Sequence, residues 1–310
     1  MEAVKQPVPG THREPRKKFL TPHRKDALIG WLFLAPEIIG MLFLNVFALG
    51  FSLYLSLSKW DLLSGVKGIE FIGLDNYVKL FQDPTIIQAV KNNVLYMIMT
   101  VPIPIAIALV MAVLIHNSVF FKDYFKVAFF IPYISSIIAV AAVWSALFHP
   151  SLGPINQFLM DLGFSNPPKW LVDPKTSLLS IAIIGSWASL GYTIIIYMAG
   201  LTNISNEIYE AAEIDGAGPF KKFFSITVPM LRSTTFFLLI TMLIGSFKVF
   251  DIIAYLTEGG PNNSSTVLVY RIYEEGFKYY NMGYASAISW LLFAIIGLLT
   301  ALTWKMRNED

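Results

Sequence analysis

Two ionisable side chains stand where a long apolar run would least tolerate them. Lys248 and Asp251 fall inside the apolar segment 234–256, three residues apart, a spacing that makes side chains neighbours on one helix face. Such a pair can neutralise itself or can meet a polar solute, and ionisable groups at membrane depth are functional suspects because burying them is costly. Ser246, Val249 and Tyr255 share the segment. A second apolar run, 177–200, carries Ser186, Trp187, Ser189 and Tyr192, with Gly185 and Gly191 thinning the helix beside them. Aromatic faces and hydroxyls so placed can line a path. A third group is the charged island 201–233, where Glu210 can take a charge-assisted bond from a basic or backbone donor. Other chemistry is missing. The chain has no Cys, which excludes disulfides, thiol catalysis and cysteine-ligated metals. Its four His (12, 23, 116 and 149) show no metal spacing, and the apolar runs hold no catalytic pair.

The island reads as two short helices hinged at glycine. Ser205 can cap the first, since its hydroxyl accepts from an orphan backbone N–H. Ile204, Ile208, Ala211 and Ala212 then form one apolar stripe at helical spacing. Gly216 sits where a helix stops in a left-handed residue, and Pro219 suits the first position of the next helix. Phe220, Phe223 and Phe224 give that second helix an apolar face of its own. Two stubby helices of this kind make a docking knob for a soluble partner.

The composition demands a membrane. The chain is 55% hydrophobic and 14% charged, with a mean hydropathy of +0.59, far from a soluble domain. Six segments, at 28–57, 86–115, 127–148, 177–200, 234–256 and 284–304, are each long enough to cross a bilayer core. The expected architecture is an all-α membrane protein of six transmembrane helices. It has a tail over 1–27, a membrane domain over 28–304 and a short tail over 305–310. With the N-terminus inside, fourteen Lys and Arg fall on the cytoplasmic side and eight outside. Both termini and the island are then cytoplasmic, because orientation follows Lys and Arg. The net charge of +2 gives no reason to expect nucleic acid.

Three outward loops remain, either short connectors or a platform for a partner. In 58–85, Leu74, Tyr77, Val78 and Phe81 suit a short amphipathic helix. In 149–176, Gly153-Pro154 and Asn166-Pro167-Pro168, with Trp170, read as turns and a stiff link. In 257–283, Glu258-Gly259-Gly260-Pro261 is a strong breaker. Glu37 follows Pro36 in the first span, where a half-helix N-terminus can shelter its carboxylate. Pro102 and Pro104 are expected to break the second span. Trp144 and Trp290 read as packing or interface anchors.

These residues resemble a known family. Glu210-Ala211-Ala212, Gly216, Ile226 and Val228-Pro229 follow the pattern of the EAA loop of the membrane subunits of bacterial ATP-binding-cassette importers, with Val for the usual Leu. Further pieces look like its carbohydrate branch, of the maltose-permease type. They are Gly73-Leu74-Asp75-Asn76-Tyr77, Asp215-Gly216-Ala217, and Phe250-Asp251 followed by Leu256-Thr257-Glu258-Gly259-Gly260-Pro261. Ser205 departs from a frequent Pro.

The resemblance implies a type I importer permease fold in the bacterial cytoplasmic membrane. It implies a second homologous permease subunit, two copies of an ABC ATPase, an extracellular solute-binding protein and a carbohydrate substrate amid membrane lipid. No Gly-x-x-x-x-Gly-Lys-Ser/Thr phosphate loop occurs here, so no cofactor is expected on this chain, ATP and Mg belonging to the ATPase. Glu210, Ala211, Ala212, Asp215, Gly216, Ile226 and Pro229 would form the ATPase contact. By the same resemblance Tyr192 and Ser246 fall on sugar-contacting positions, with Trp187, Ser189, Val249, Lys248 and Asp251 nearby. Val249 departs from a polar amide. The rival reading is an ATP-independent secondary transporter or channel for a small polar solute.

Overall fold

The computed structural model describes residues 22–117 and 122–308. Most of the expected tails, 1–21 and 309–310, lies outside the described residues. The chain forms two units, one ending at Ser52 and one running from Leu53 onward.

α1 (Pro22–Met41) passes through a π-helical turn, Leu42–Phe47, into α2 (Ala48–Ser56), whose last turn already belongs to the second unit. Ile29–Ser56 is long and apolar enough to cross a membrane. Pro36 lies inside α1 without ending it, so the expected half-helix beside Glu37 does not form, and Glu37 is exposed. Phe43, Phe47 and Phe51 stack at successive turns, 5.8 and 6.0 Å between ring centres. Trp31, Leu32 and Phe33 are exposed within the chain, as lipid-facing side chains are.

The second unit continues with a two-residue hairpin, β1 (Ser58–Lys59) pairing antiparallel with β2 (Glu70–Phe71). Then come α3 (Asp75–Gln82), α4 (Pro84–Thr100) and α5 (Pro102–Asn117). Asp83 starts α4 by accepting from the Thr85 N–H at 2.8 Å, with Pro84 in the first turn. Pro102 and Pro104 do not break the second span, contrary to expectation. Pro102 follows the irregular residue Val101, so both prolines sit in the first turn of α5, where no N–H is needed. Pro84–Asn117 therefore runs as one span.

The third span carries the break instead. α6 (Lys122–Ile134) and α7 (Ile137–Leu147) meet at 98° across Ser135-Ser136. Pro132 lacks the N–H that would bond one turn back, and the Ser135 hydroxyl competes for the Ile131 carbonyl at 2.8 Å. Counting this pair as one span, the described residues hold up to six.

α8 (Pro154–Asp161) forms in the 149–176 loop, where turns were expected; Gly153-Pro154 begins a helix there. α9 (Ser177–Thr202) is the central helix, packed by α4, α5, α6, α7, α13 and α14. The island gives α10 (Asn206–Ile214), α11 (Pro219–Lys222), a π turn at Phe223–Thr227 and α12 (Val228–Met230). The fifth span is α13 (Arg232–Phe247) and α14 (Asp251–Leu256), parted at Lys248–Phe250. After α15 (Leu268–Tyr273) and a second π turn, α16 (Met282–Asn308) is the sixth.

Small residues set the closest approaches. A Cβ on Gly191 would lie 1.8 Å from the Phe129 carbonyl oxygen, so α6 crosses α9 backbone to backbone. A Cβ on Gly283 would lie 2.1 Å from the Ser58 carbonyl oxygen, placing the hairpin against the start of α16. Polar residues inside the second span hold the 257–283 loop. Asn92 donates to the carbonyls of Asn263 at 2.9 Å and Thr266 at 2.7 Å, and Asn93 accepts from the Leu268 N–H at 2.9 Å. Both are buried; the Asn92 amide is fully engaged, whereas Asn93 uses its oxygen and leaves its Nδ2 without a partner among the described residues.

Candidate coupling loop and transport path

The glycine hinge takes the form its local sequence dictates. Ser205 caps α10 by accepting from the Glu207 N–H at 3.3 Å. At the other end Gly216 adopts φ +74°. Its N–H bonds to the Glu213 carbonyl at 2.9 Å, and the Ala217 N–H bonds to the Ala212 carbonyl at 2.8 Å. Those two bonds are the Schellman closure, which consumes the orphan carbonyls of the last turn. Gly218 and Pro219 then start α11.

Two side-chain contacts join the halves of the loop. The Tyr209 and Thr227 hydroxyls lie 3.0 Å apart, and Lys222 forms an ion pair with Glu213. The apolar stripe expected on α10 is not the buried face. Ile204 is buried just before the helix, whereas Ile208 and Ala211 are exposed and Ala212 is half-buried. Tyr209 packs on the core instead. Its long ring reaches the buried cluster of α5, α9 and α13 and its hydroxyl finds Thr227, which alanines at the stripe positions cannot do. The outer face is left with Glu210, Asp215 and Pro229 exposed and Ile226 half-buried. Glu210 has no ion pair or hydrogen-bond partner among the described residues. On the same loop Ile214, Phe220 and Phe224 are 87, 81 and 65% exposed. The loop thus leaves a carboxylate and several large apolar side chains uncovered among the described residues.

The path residues are divided by the tertiary structure. Tyr192 is half-buried and stacks on Tyr133 of α6 at 4.9 Å. Trp187 makes an edge contact with Trp144, 5.6 Å between ring centres. It lines an apolar groove of about 330 Å³ with Met99, Ile103, Pro104 and Ile107. No residue of α13 or α14 is in that lining. Ser189 bonds to the Ser186 carbonyl at 3.1 Å, and buried Ser246 to the Leu243 carbonyl at 2.7 Å. Both hydroxyls thus already bond their own helices. Val249 packs against the core.

Lys248 and Asp251 do not share a helix face. Lys248 ends α13, Asp251 begins α14, and Phe250 between them has φ −139°. No ion pair joins them among the described residues, and both are exposed. The break places the two charges at helix ends, uncovered by this chain, each suiting the local dipole. Phe250 is held by Tyr273 at 5.2 Å and Tyr270 at 6.3 Å. Those aromatic partners, and Asn92 and Asn93, were not singled out in the sequence. A buried Asn-Asn pair in an otherwise apolar span was the available signal.

The loops over 149–176 and 257–283 are ordered by specific bonds. Trp170 stacks on Phe148 at 4.6 Å and donates to the Asn156 side chain at 2.6 Å. Arg271 holds Glu274 at 2.7 Å and Glu275 at 2.6 Å. Lys278 donates to the Tyr270 hydroxyl at 2.9 Å, and that bond holds its ammonium above the usual lysine range. On α3 the expected helix forms, but Leu74, Val78 and Phe81 are exposed, while Asn76 and Leu80 face inward.

Residues 85–304 match the family of binding-protein-dependent transport system inner membrane components. The chain belongs to that family. The permease is 35% identical to the probable ABC transporter permease protein YurN of Bacillus subtilis, covering 91% of this chain and 96% of the relative. It is 34% identical to the lactose transport system permease protein LacF of Rhizobium radiobacter, covering 90% and 94%. A solved bacterial alginate ABC transporter, in complex with its alginate-bound periplasmic protein, shares the fold at a TM-score of 0.79 and 22% identity, covering 92% of this permease and 96% of that chain. The permease is thus a multi-pass inner membrane protein of the type I importer fold and a transport component. It works with other components of a binding-protein-dependent system, and the ATP-independent alternative falls away.

Proposed function

We propose that this permease imports a carbohydrate, delivered by an extracellular binding protein, through a path shared with a second homologous permease subunit. Two copies of an ABC ATPase, which hold ATP and Mg, drive it from the cytoplasmic side, where both termini also lie. The observation that carries the reading is the loop of α10 and α11. Its own ends are closed by backbone bonds, while Glu210 has no polar partner among the described residues and Ile214, Phe220 and Phe224 are largely exposed. A preformed knob of this kind transmits nucleotide-driven closure of the ATPase as a rigid lever. Relatives whose names carry lactose and arabinooligosaccharides support the substrate class.

The path would run beside the broken fifth span. There Lys248, Asp251 and Tyr255 are exposed, and Trp187, Ser189, Tyr192, Ser246 and Val249 lie on the helices that frame it. The test uses the assembled transporter in vesicles. Glu210→Lys with Gly216→Val should abolish uptake and substrate-stimulated ATP hydrolysis while the protein still inserts. Wild-type uptake by that double mutant would overturn the assignment of the loop.

A further inference from the structure

The exposed side of α3 (Asp75–Gln82) serves neither the path nor the coupling loop. At about 3.6 residues per turn its side chains fall into three sectors. Asn76 and Leu80 make the buried one. Asp75, Lys79 and Gln82 make an exposed polar one. Leu74, immediately before the helix, joins Val78 and Phe81 in a third that is apolar, at 65, 54 and 68% exposure. A surface helix in water needs only two sectors, one packed and one polar. Three sectors match three surroundings: protein, water and an apolar medium.

The place of α3 supplies that medium. Three spans end beside it, Ile29–Ser56, Pro84–Asn117 and Met282–Lys305. The Asn76 side chain donates to the Ser56 carbonyl at 3.0 Å, and the Tyr77 and Ser56 hydroxyls lie 2.8 Å apart. Asp83, which links α3 to α4, accepts from the Tyr284 hydroxyl in the first turn of α16 at 3.0 Å. Leu80 packs with Ile86 and Ile288 in one buried cluster. These contacts hold α3 at the level where apolar spans begin, which is the boundary between headgroups and acyl chains. Phe71, three residues before Leu74, stacks on Tyr54 at 6.4 Å. Tyr54 is exposed in the last turn of the first span, so the apolar exposure leading into α3 continues the lipid-facing surface of a span. A soluble partner arriving through the water would meet the polar sector instead.

We propose that α3 is an interfacial helix, lying in the membrane surface remote from the coupling loop, with Leu74, Val78 and Phe81 inserted among lipid chains. Asn117, at the other end of the second span, borders the coupling loop, which sets the leaflet. So seated, α3 pins the ends of three spans at one depth in the bilayer. The proposal rests on the membrane placement of the chain and not on the transported solute or the ATPase contact.

Spin labelling tests it on the complete transporter in phosphatidylcholine vesicles, where no anionic headgroup can supply the attraction. This chain has no Cys, so with the partner chains' cysteines replaced each label reports one position. Labels at Leu74→Cys, Val78→Cys and Phe81→Cys should be reached by oxygen, which concentrates in lipid, and not by a water-soluble nickel chelate. Their depth should be about 5–10 Å into the boundary of headgroups and acyl chains. Labels at Asp75→Cys and Gln82→Cys should show the reverse preference. Basal ATP hydrolysis, unchanged in every variant, checks assembly. Nickel access at the three apolar positions would place the stripe in water. Shielding from both reagents would show a protein chain seated on it, and nickel access lost only when the binding protein is added would make it a docking surface. Each of these three outcomes would overturn the proposal.

Discussion

Tyr209 and Thr227 face each other across the coupling loop, their hydroxyls 3.0 Å apart. Tyr209 belongs to α10 and Thr227 to the π turn after α11, so this bond joins the two helices on either side of the glycine hinge. Thr227 is almost fully buried, at 3% exposure. Its second contact, to the Lys222 carbonyl, is a longer 3.4 Å. Losing the tyrosine hydroxyl therefore strips a buried group of its better partner.

Tyr209→Phe should weaken the loop by about 1 kcal/mol, the usual net worth of one hydrogen bond. Folding and membrane insertion should survive, and coupling should loosen. The readout is the ratio of uptake to ATP hydrolysed, which should fall. Thr227→Val added to Tyr209→Phe should cost little more than either alone, because both remove one bond.

At Gly216 a Cβ would meet nothing within 4 Å, so substitution there acts through backbone conformation alone, at φ +74°. Gly216→Ala should cost about 1 kcal/mol and Gly216→Asn less, since Asn tolerates the left-handed region. Gly216→Val should cost most. Uptake in vesicles should follow the order Gly, Asn, Ala, Val. Any order set by side-chain volume alone would contradict the hinge.

Gly191 predicts the opposite kind of failure. Gly191→Ala drives a methyl into the Phe129 backbone and should destabilise the packing of α6 on α9 by about 3 kcal/mol or more. The protein should fail to accumulate in membranes. Gly218→Ala, where a Cβ has open space, is the control and should express normally.

Tyr192 offers a test of the path. Tyr192→Ala removes a ring stacked on Tyr133 and should lower uptake while basal hydrolysis by the assembled transporter is kept, because the coupling loop is untouched. The size of the loss should be about tenfold if the ring supplies a stacking face, read as initial uptake rates in vesicles. Unchanged rates would remove Tyr192 from the path.

Acid should loosen the N-terminal end of the second span. Burial raises the Asp83 carboxyl, but bonds from the Thr85 N–H, the Tyr284 hydroxyl and the Ile86 N–H, with the Arg271 charge, outweigh it and hold it below the ordinary value. A carboxyl depressed by folding contributes stability that is complete above its unfolded pKa and is lost as pH falls through its folded one. The thermal midpoint should therefore drop between about pH 5 and about pH 3, and less steeply in Asp83→Asn. A parallel slope in the variant would assign the acid sensitivity elsewhere.

The sequence by itself determined whatever depends on near neighbours along the chain. Apolar length set five of the six spans closely, and Ser205, Gly216 and Pro219 set the caps and hinge of the loop, because capping and left-handed turns involve only a few consecutive residues. Orientation within the bundle does not follow from such signals. α9 is apolar nearly all round, so nothing in its period says that Trp187 turns to the α4 and α5 groove. Spacing alone placed Lys248 and Asp251 on one face, and the break that separates them arises where Phe250 leaves the helix to pack on Tyr270 and Tyr273, twenty or more residues on. Pro102 and Pro104 look like breakers and are not, while Pro132 sits at the sharpest bend. The difference is whether the missing N–H falls in a first turn or inside a helix, and packing against α9 helps decide that. The tertiary structure likewise chose Tyr209 over the alanine stripe, since only the long ring reaches a buried partner.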